Sequence, residues 1–103
     1  MSEPRVICKQ SDVAPGSVIR VDVEGLPALA VYNLEGTFYV TDDVCTHGKA
    51  SLAEGYIEGK EIECPWHSGR FDIATGKPTC FPAIEPIATY PVTIVGEDVC
   101  IGG

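Results

Sequence analysis

Apolar and polar residues alternate over residues 18–24, and β-branched or aromatic residues fill residues 28–32 and 37–41. A period of two predicts strands rather than helices. Turn pairs fall where hairpins need them, at Glu24-Gly25, Glu35-Gly36, Glu58-Gly59 and Gly96-Glu97, and residues 92–95 and 99–101 read as a closing pair of strands. Eleven Gly and eight Pro punctuate the chain, and the longest stretch without either, residues 37–47, is rich in strand formers. Helix is therefore reduced to at most a short turn at Ser11-Asp12-Val13, and the expected fold class is all-β and antiparallel. The pattern changes between about residues 42 and 83, where strands shorten, Gly and Pro become frequent, and both histidines and three of the five cysteines appear. This stretch is expected to be a loop-rich subdomain inserted into a β base, within one domain covering residues 1–103.

Composition agrees with a single globular domain: 103 residues, 45% hydrophobic and 21% charged. Fifteen acids against seven Lys and Arg give a net charge of −8, the wrong sign for binding phosphate backbones or anionic lipid. No basic region followed by an apolar run opens the chain, and no apolar stretch approaches the length of a membrane span, so a cytoplasmic location is expected. An odd number of cysteines, at positions 8, 45, 64, 80 and 100, does not form a secreted disulfide framework and points to metal or redox chemistry.

That chemistry concentrates in Cys45-Thr46-His47 and Cys64-Pro65-Trp66-His67, a C-x-H and a C-x-x-H separated by sixteen residues that use every histidine in the chain. Each pair ends a strand-like run, so two neighbouring loops could present one Cys and one His apiece to a shared site. Such a donor set suits a tetrahedral structural zinc, although C-x-H is an uncommon spacing for zinc ribbons. A binuclear iron–sulfur cluster, with two cysteines on one iron and two histidines on the other, is the reading preferred over zinc.

Together with Gly48, the run Ser68-Gly69-Arg70-Phe71-Asp72 and the later Thr75-Gly76-Lys77, these clusters resemble the Rieske [2Fe–2S] signature. The resemblance covers nearly the whole chain, including the preceding hairpins and a Tyr90-Pro91-Val92 strand near the end, and is greatest to the small ferredoxins of bacterial aromatic-ring dioxygenase systems, with residues 61–65 and 71–72 most similar to the naphthalene-type branch. It implies the Rieske fold and one [2Fe–2S] cluster, with Cys45 and Cys64 on the inner iron and His47 and His67 on the outer one. The histidine Nε2 edges would then serve as the electron port. Backbone N–H groups of residues 45–50 and 64–69 would donate to sulfur, and Gly48 and Gly69 would allow close approach or act as ordinary turn glycines. Two ferric ions, two sulfides and two thiolates sum to zero, whereas a four-thiolate cluster carries −2. Rieske centres accordingly lie at about −150 to +300 mV, against about −400 mV for plant-type ferredoxins.

Departures from the respiratory relatives are informative. The two extra cysteines that form their disulfide correspond here to Ala50 and Trp66, and the serine and tyrosine that donate to their clusters correspond to Gly69 and Phe71. The expected potential is therefore near the low end of that range, about −150 mV. The resemblance implies an electron carrier without a catalytic site of its own, taking single electrons from an NAD(P)H-dependent flavin reductase and passing them to a terminal oxygenase. A Rieske small subunit of the nitrite-reductase type and a zinc-stabilised β module are the competing readings. A monomer is expected.

Outside the ligand set, Cys8, Cys80 and Cys100 read as small apolar residues on strands or loops, with Cys80 notable because Phe81-Pro82-Ala83 resembles the proline loop that covers the cluster in this family. Trp66 is either a docking aromatic or part of the subdomain's packing. Asp42, Asp43, Glu54, Glu58, Glu61 and Glu63 face only Lys49 and Lys60, a local balance of −4. They form either a solvated face or an acidic rim that steers basic partners.

Overall fold

The computed structural model describes residues 5–44, 50–65, 69–80 and 85–102. Its strands run in chain order as β1 (Arg5–Lys9), β2 (Ser17–Val21), β3 (Leu29–Leu34), β4 (Thr37–Asp42), β5 (Tyr56–Glu58), β6 (Glu61–Glu63), β7 (Arg70–Asp72), β8 (Pro78–Cys80), β9 (Thr89–Tyr90), β10 (Val92–Val95) and β11 (Asp98–Ile101). They make three antiparallel sheets, β1-β11-β10, β2-β3-β4-β9 and β5-β6-β7-β8. The helical pieces among the described residues are two 3-10 turns, Gln10–Asp12 and Leu52–Glu54. The first of them lies where Ser11-Asp12-Val13 predicts a turn.

The first two sheets form the base and enclose a core of Val13, Leu29, Val31, Phe38, Val40, Val99 and Ile101. A second core lies on the other side of β3, where Ala30 and Tyr32 pack with Ala50, Leu52, Ile62, Cys64, Phe71, Ile73 and Ile87. Strand β3 is thus buried on both faces, from Leu29 to Asn33, which is why it reads as a continuous apolar run rather than a clean alternation. The hydroxyl of Tyr32 is satisfied inside this core by Thr41 Oγ1 at 2.9 Å, which donates in turn to the Asp42 carbonyl. Burial raises the Tyr32 phenol above its ordinary range.

Two strand expectations shift. The alternation over residues 18–24 predicts a longer strand than β2, which ends at Val21. Beyond its last pair, Val21 with Leu29, the chain turns through Leu26 N–H to Val23 O, and Pro27 has no N–H to extend the ladder. The strand around Tyr90-Pro91-Val92 is divided: Tyr90 pairs with Val40 in one sheet and Val92 with Ile101 in the other. Pro91 occupies the crossing between sheets, where a missing donor costs no ladder bond.

Candidate iron–sulfur centre

Of the four proposed ligands, Cys64 lies among the described residues; Cys45, His47 and His67 lie outside them, as do Gly48, Trp66 and Phe81-Pro82-Ala83. The structure defines the necks from which both ligand loops emerge. The first follows β4. Val44 and Ser51 form an antiparallel bridge across residues 45–50, so that loop leaves and returns at one point. Asp43 reinforces the closure, because its carbonyl accepts from Leu52 N–H at 2.7 Å while its carboxylate accepts from Ser51 Oγ at 2.6 Å and Ala53 N–H at 2.9 Å.

The second loop connects β6 to β7. Glu63 pairs with Arg70 across the strands, and Cys64 N–H donates to Gly69 O at 2.7 Å, closing residues 64–69 into a hairpin loop. Arg70 Nε and Nη2 also donate to Glu63 Oε1 at 3.1 and 2.9 Å, so this neck has a side-chain clasp as well.

The two necks meet through Gly55. A side chain there would collide with the backbone carbonyl of Glu63, so only glycine lets the exit of the first loop run against the entry of the second. Ala50 and Leu52 from the first segment and Cys64 and Phe71 from the second share one buried cluster, and Cys64 is 1% exposed. Its sulfur is therefore held in an apolar, water-excluded setting at the place where both loops converge. A buried thiol in that setting, at the point where the two necks meet, fits a ligand of an iron–sulfur cluster.

The third side is supplied by residues 85–88. Ile87 N–H donates to Gly76 O at 2.8 Å, Asp42 N–H donates to Ala88 O at 3.0 Å, and Ile87 joins the buried cluster. Gly76 has φ +77, and a side chain on it would meet the Ile87 carbonyl. The turn that presents it is set by Asp72, whose Oδ1 accepts from Ala74 N–H and Thr75 N–H at 2.9 and 3.1 Å. Thr75-Gly76-Lys77 thus owes its place in the pattern to docking this returning segment.

The acidic rim requires correction. Asp43 is fully buried. Glu58, Glu61 and Glu63 converge on Arg70 at 3.1, 3.7 and 2.9 Å, and these carboxylates raise the Arg70 pKa. Asp42 accepts from the Tyr90 hydroxyl at 2.6 Å. One acid of this stretch is therefore buried and four others are engaged by Arg70 or Tyr90, so the stretch is not a uniform docking face. Asp43 and Gly55 carry no motif: an acid eight residues before a serine and a glycine in a loop become meaningful only once the chain is folded.

Residues 3–91 match the family model of the Rieske [2Fe-2S] domain. The chain belongs to this family. One [2Fe–2S] cluster is the cofactor of this Rieske domain, which removes the structural-zinc alternative. The Rieske domain is 55% identical over 84 residues to the ferredoxin component of the naphthalene 1,2-dioxygenase system of Pseudomonas putida, covering 82% of this chain and 80% of that protein. Among solved structures it is similar to a Sphingomonas yanoikuyae B1 ferredoxin, with 50% identity, a TM-score of 0.94, and coverage of 98% and 99% of the two chains. It is also similar, at 41% identity and a TM-score of 0.90, covering 97% and 93%, to a chain in the complex of reduced oxygenase and oxidized ferredoxin in carbazole 1,9a-dioxygenase. Among the described residues no helix is long and apolar enough to cross a membrane.

Proposed function

We propose that this chain is the electron-carrying ferredoxin of an aromatic-ring dioxygenase system, accepting single electrons from an NAD(P)H-dependent flavin reductase and delivering them to a terminal oxygenase. It is a carrier and not a catalytic subunit. The observation that carries this reading is that the segments flanking the two Cys/His motifs, through Ala50, Leu52, Cys64 and Phe71, share one buried cluster, in a chain whose similar relatives are ferredoxin components. The cluster supplies a store for one electron at a time. Cys45 and Cys64 hold the inner iron and His47 and His67 the outer one. The buried side chains of Leu52, Ile62 and Phe71 keep water from the Cys64 side, so the histidine side is the route to partners. Phe71, without a hydroxyl and fully buried, leaves the potential near about −150 mV, the low end of the Rieske range. The carrier works in the cytoplasm as a monomer.

Low-temperature EPR of the dithionite-reduced protein, with iron, zinc and acid-labile sulfide counted on the same sample, tests the assignment. The expected result is a rhombic signal with mean g below the free-electron value and two irons and two sulfides per chain, lost in His47→Ala and His67→Ala. One zinc per chain without a signal refutes it. A potentiometric midpoint above zero refutes the low-potential reading separately.

A further inference from the structure

We propose that Asp43 is the positioning residue of the first ligand loop, its buried carboxylate fixing the segment that carries Cys45 and His47 relative to the β base. The proposal rests on the ligand assignment above. Asp43 is 0% exposed, and a carboxylate taken from water needs its oxygens matched by donors. Here the donors come from across the loop. Ser51 Oγ–H donates to one oxygen at 2.6 Å and Ala53 N–H to the other at 2.9 Å.

The main chain of the same residue works in both directions. Its carbonyl takes Leu52 N–H at 2.7 Å, while its N–H donates at 2.9 Å to Ala28 O, just before β3. One residue therefore ties three consecutive positions of the loop's exit, 51 to 53, to a strand connection of the base. Cys45 follows two residues along the chain, at most about 7 Å away by Cα reach, so Asp43 lies where the chain enters the proposed ligand segment from β4. The second loop has a different closure: its Glu63–Arg70 clasp is partly exposed and is shared with Glu58 and Glu61. The first loop is thus referenced to the protein interior and the second to a surface ion-pair group.

A residue that merely stabilised the fold would affect unfolding alone, so the test needs a signal from the site. Holoprotein of the wild type, Asp43→Ala, Asp43→Asn and Ser51→Ala is compared with Val31→Ala, which weakens the other core without touching the loop. The readings are the EPR g-values and visible CD of each, the thermal midpoint, and the half-life of the cluster in excess chelator well below that midpoint. Asp43→Ala and Ser51→Ala are expected to shift the g-values and to lose the cluster about 10-fold faster, the scale of outer-shell support at metal sites. Asp43→Asn, which keeps an acceptor for Ala53 N–H, should fall between. Val31→Ala should lower the midpoint while keeping the wild-type spectrum and lifetime. Wild-type spectra and lifetimes in Asp43→Ala and Ser51→Ala overturn the proposal. Should Asp43→Ala not fold, Ser51→Ala decides by the same readings. Absence of the rhombic signal in the wild type instead refutes the ligand assignment.

Discussion

Asp42 and Asp43 are neighbours in sequence with unrelated tasks: one takes the Tyr90 hydroxyl beside the base, the other the exit of a ligand loop. At this scale the decisive contacts are between backbones. Gly55 lies against the Glu63 carbonyl with no room for a methyl group, and relieving such a contact requires one loop segment to move. Gly55→Ala is expected to lower stability by about 1–3 kcal/mol and to accelerate loss of the cluster, measured by thermal unfolding and by bleaching of the visible spectrum. An unchanged unfolding midpoint and bleaching rate would show that the two necks do not depend on this approach. Phe71, fully buried beside Cys64 in the same core, should cost about 3–5 kcal/mol when truncated to Ala.

Among the elements, the small sheet β5-β6-β7-β8 is stapled on its outer side by Arg70, which reaches carboxylates on β5 and on both ends of β6. Arg70→Gln should leave three acids facing one another, lower the thermal midpoint, and do so less at high salt, where repulsion between exposed charges is screened. A loss equal at low and high salt would contradict this account. The strands themselves were legible in the sequence because side-chain alternation and turn residues are local properties: residues 37–41 and 92–95 appear as β4 and β10, and Gly96-Glu97 as the turn after β10. The family was legible for the same reason, since the Cys and His spacing that carries the resemblance is local chemistry. What sequence could not carry was meeting across the chain. The acid run around residues 42–63 looks uniform as a string, yet folding buries Asp43 and gathers three glutamates around a cation seven to twelve residues further on. Likewise Pro91 looks like an interruption of one strand and is the crossing between two sheets.

For the whole molecule, charge and titration set two expectations. A net charge of −8 should make association with basic docking patches on partners fall as salt rises; electron-transfer rates constant from low to high ionic strength would argue against steering. Besides Tyr32 and Arg70, two groups hold their protons more tightly when folded. Burial, with Asp12 and Cys100 nearby, pushes the Cys8 thiol up from 9.0 to about 11, and burial with the Asp42 carboxylate pushes the Tyr90 phenol up from 10.0 to about 12. The unfolded chain releases these protons first, so stability is fully present below pH 9 and declines between about pH 9 and 12. Tyr90→Phe should flatten the upper part of that decline in thermal melts; an equally steep fall in the variant would assign it to other groups. Strand β3, finally, gives one face to the base and the other to the core that holds Cys64. A wall common to two rooms cannot be taken down for one of them alone. Global unfolding is therefore expected to take the redox half and the scaffold half in one transition, even where the cluster's lifetime well below the midpoint is set by its own loops.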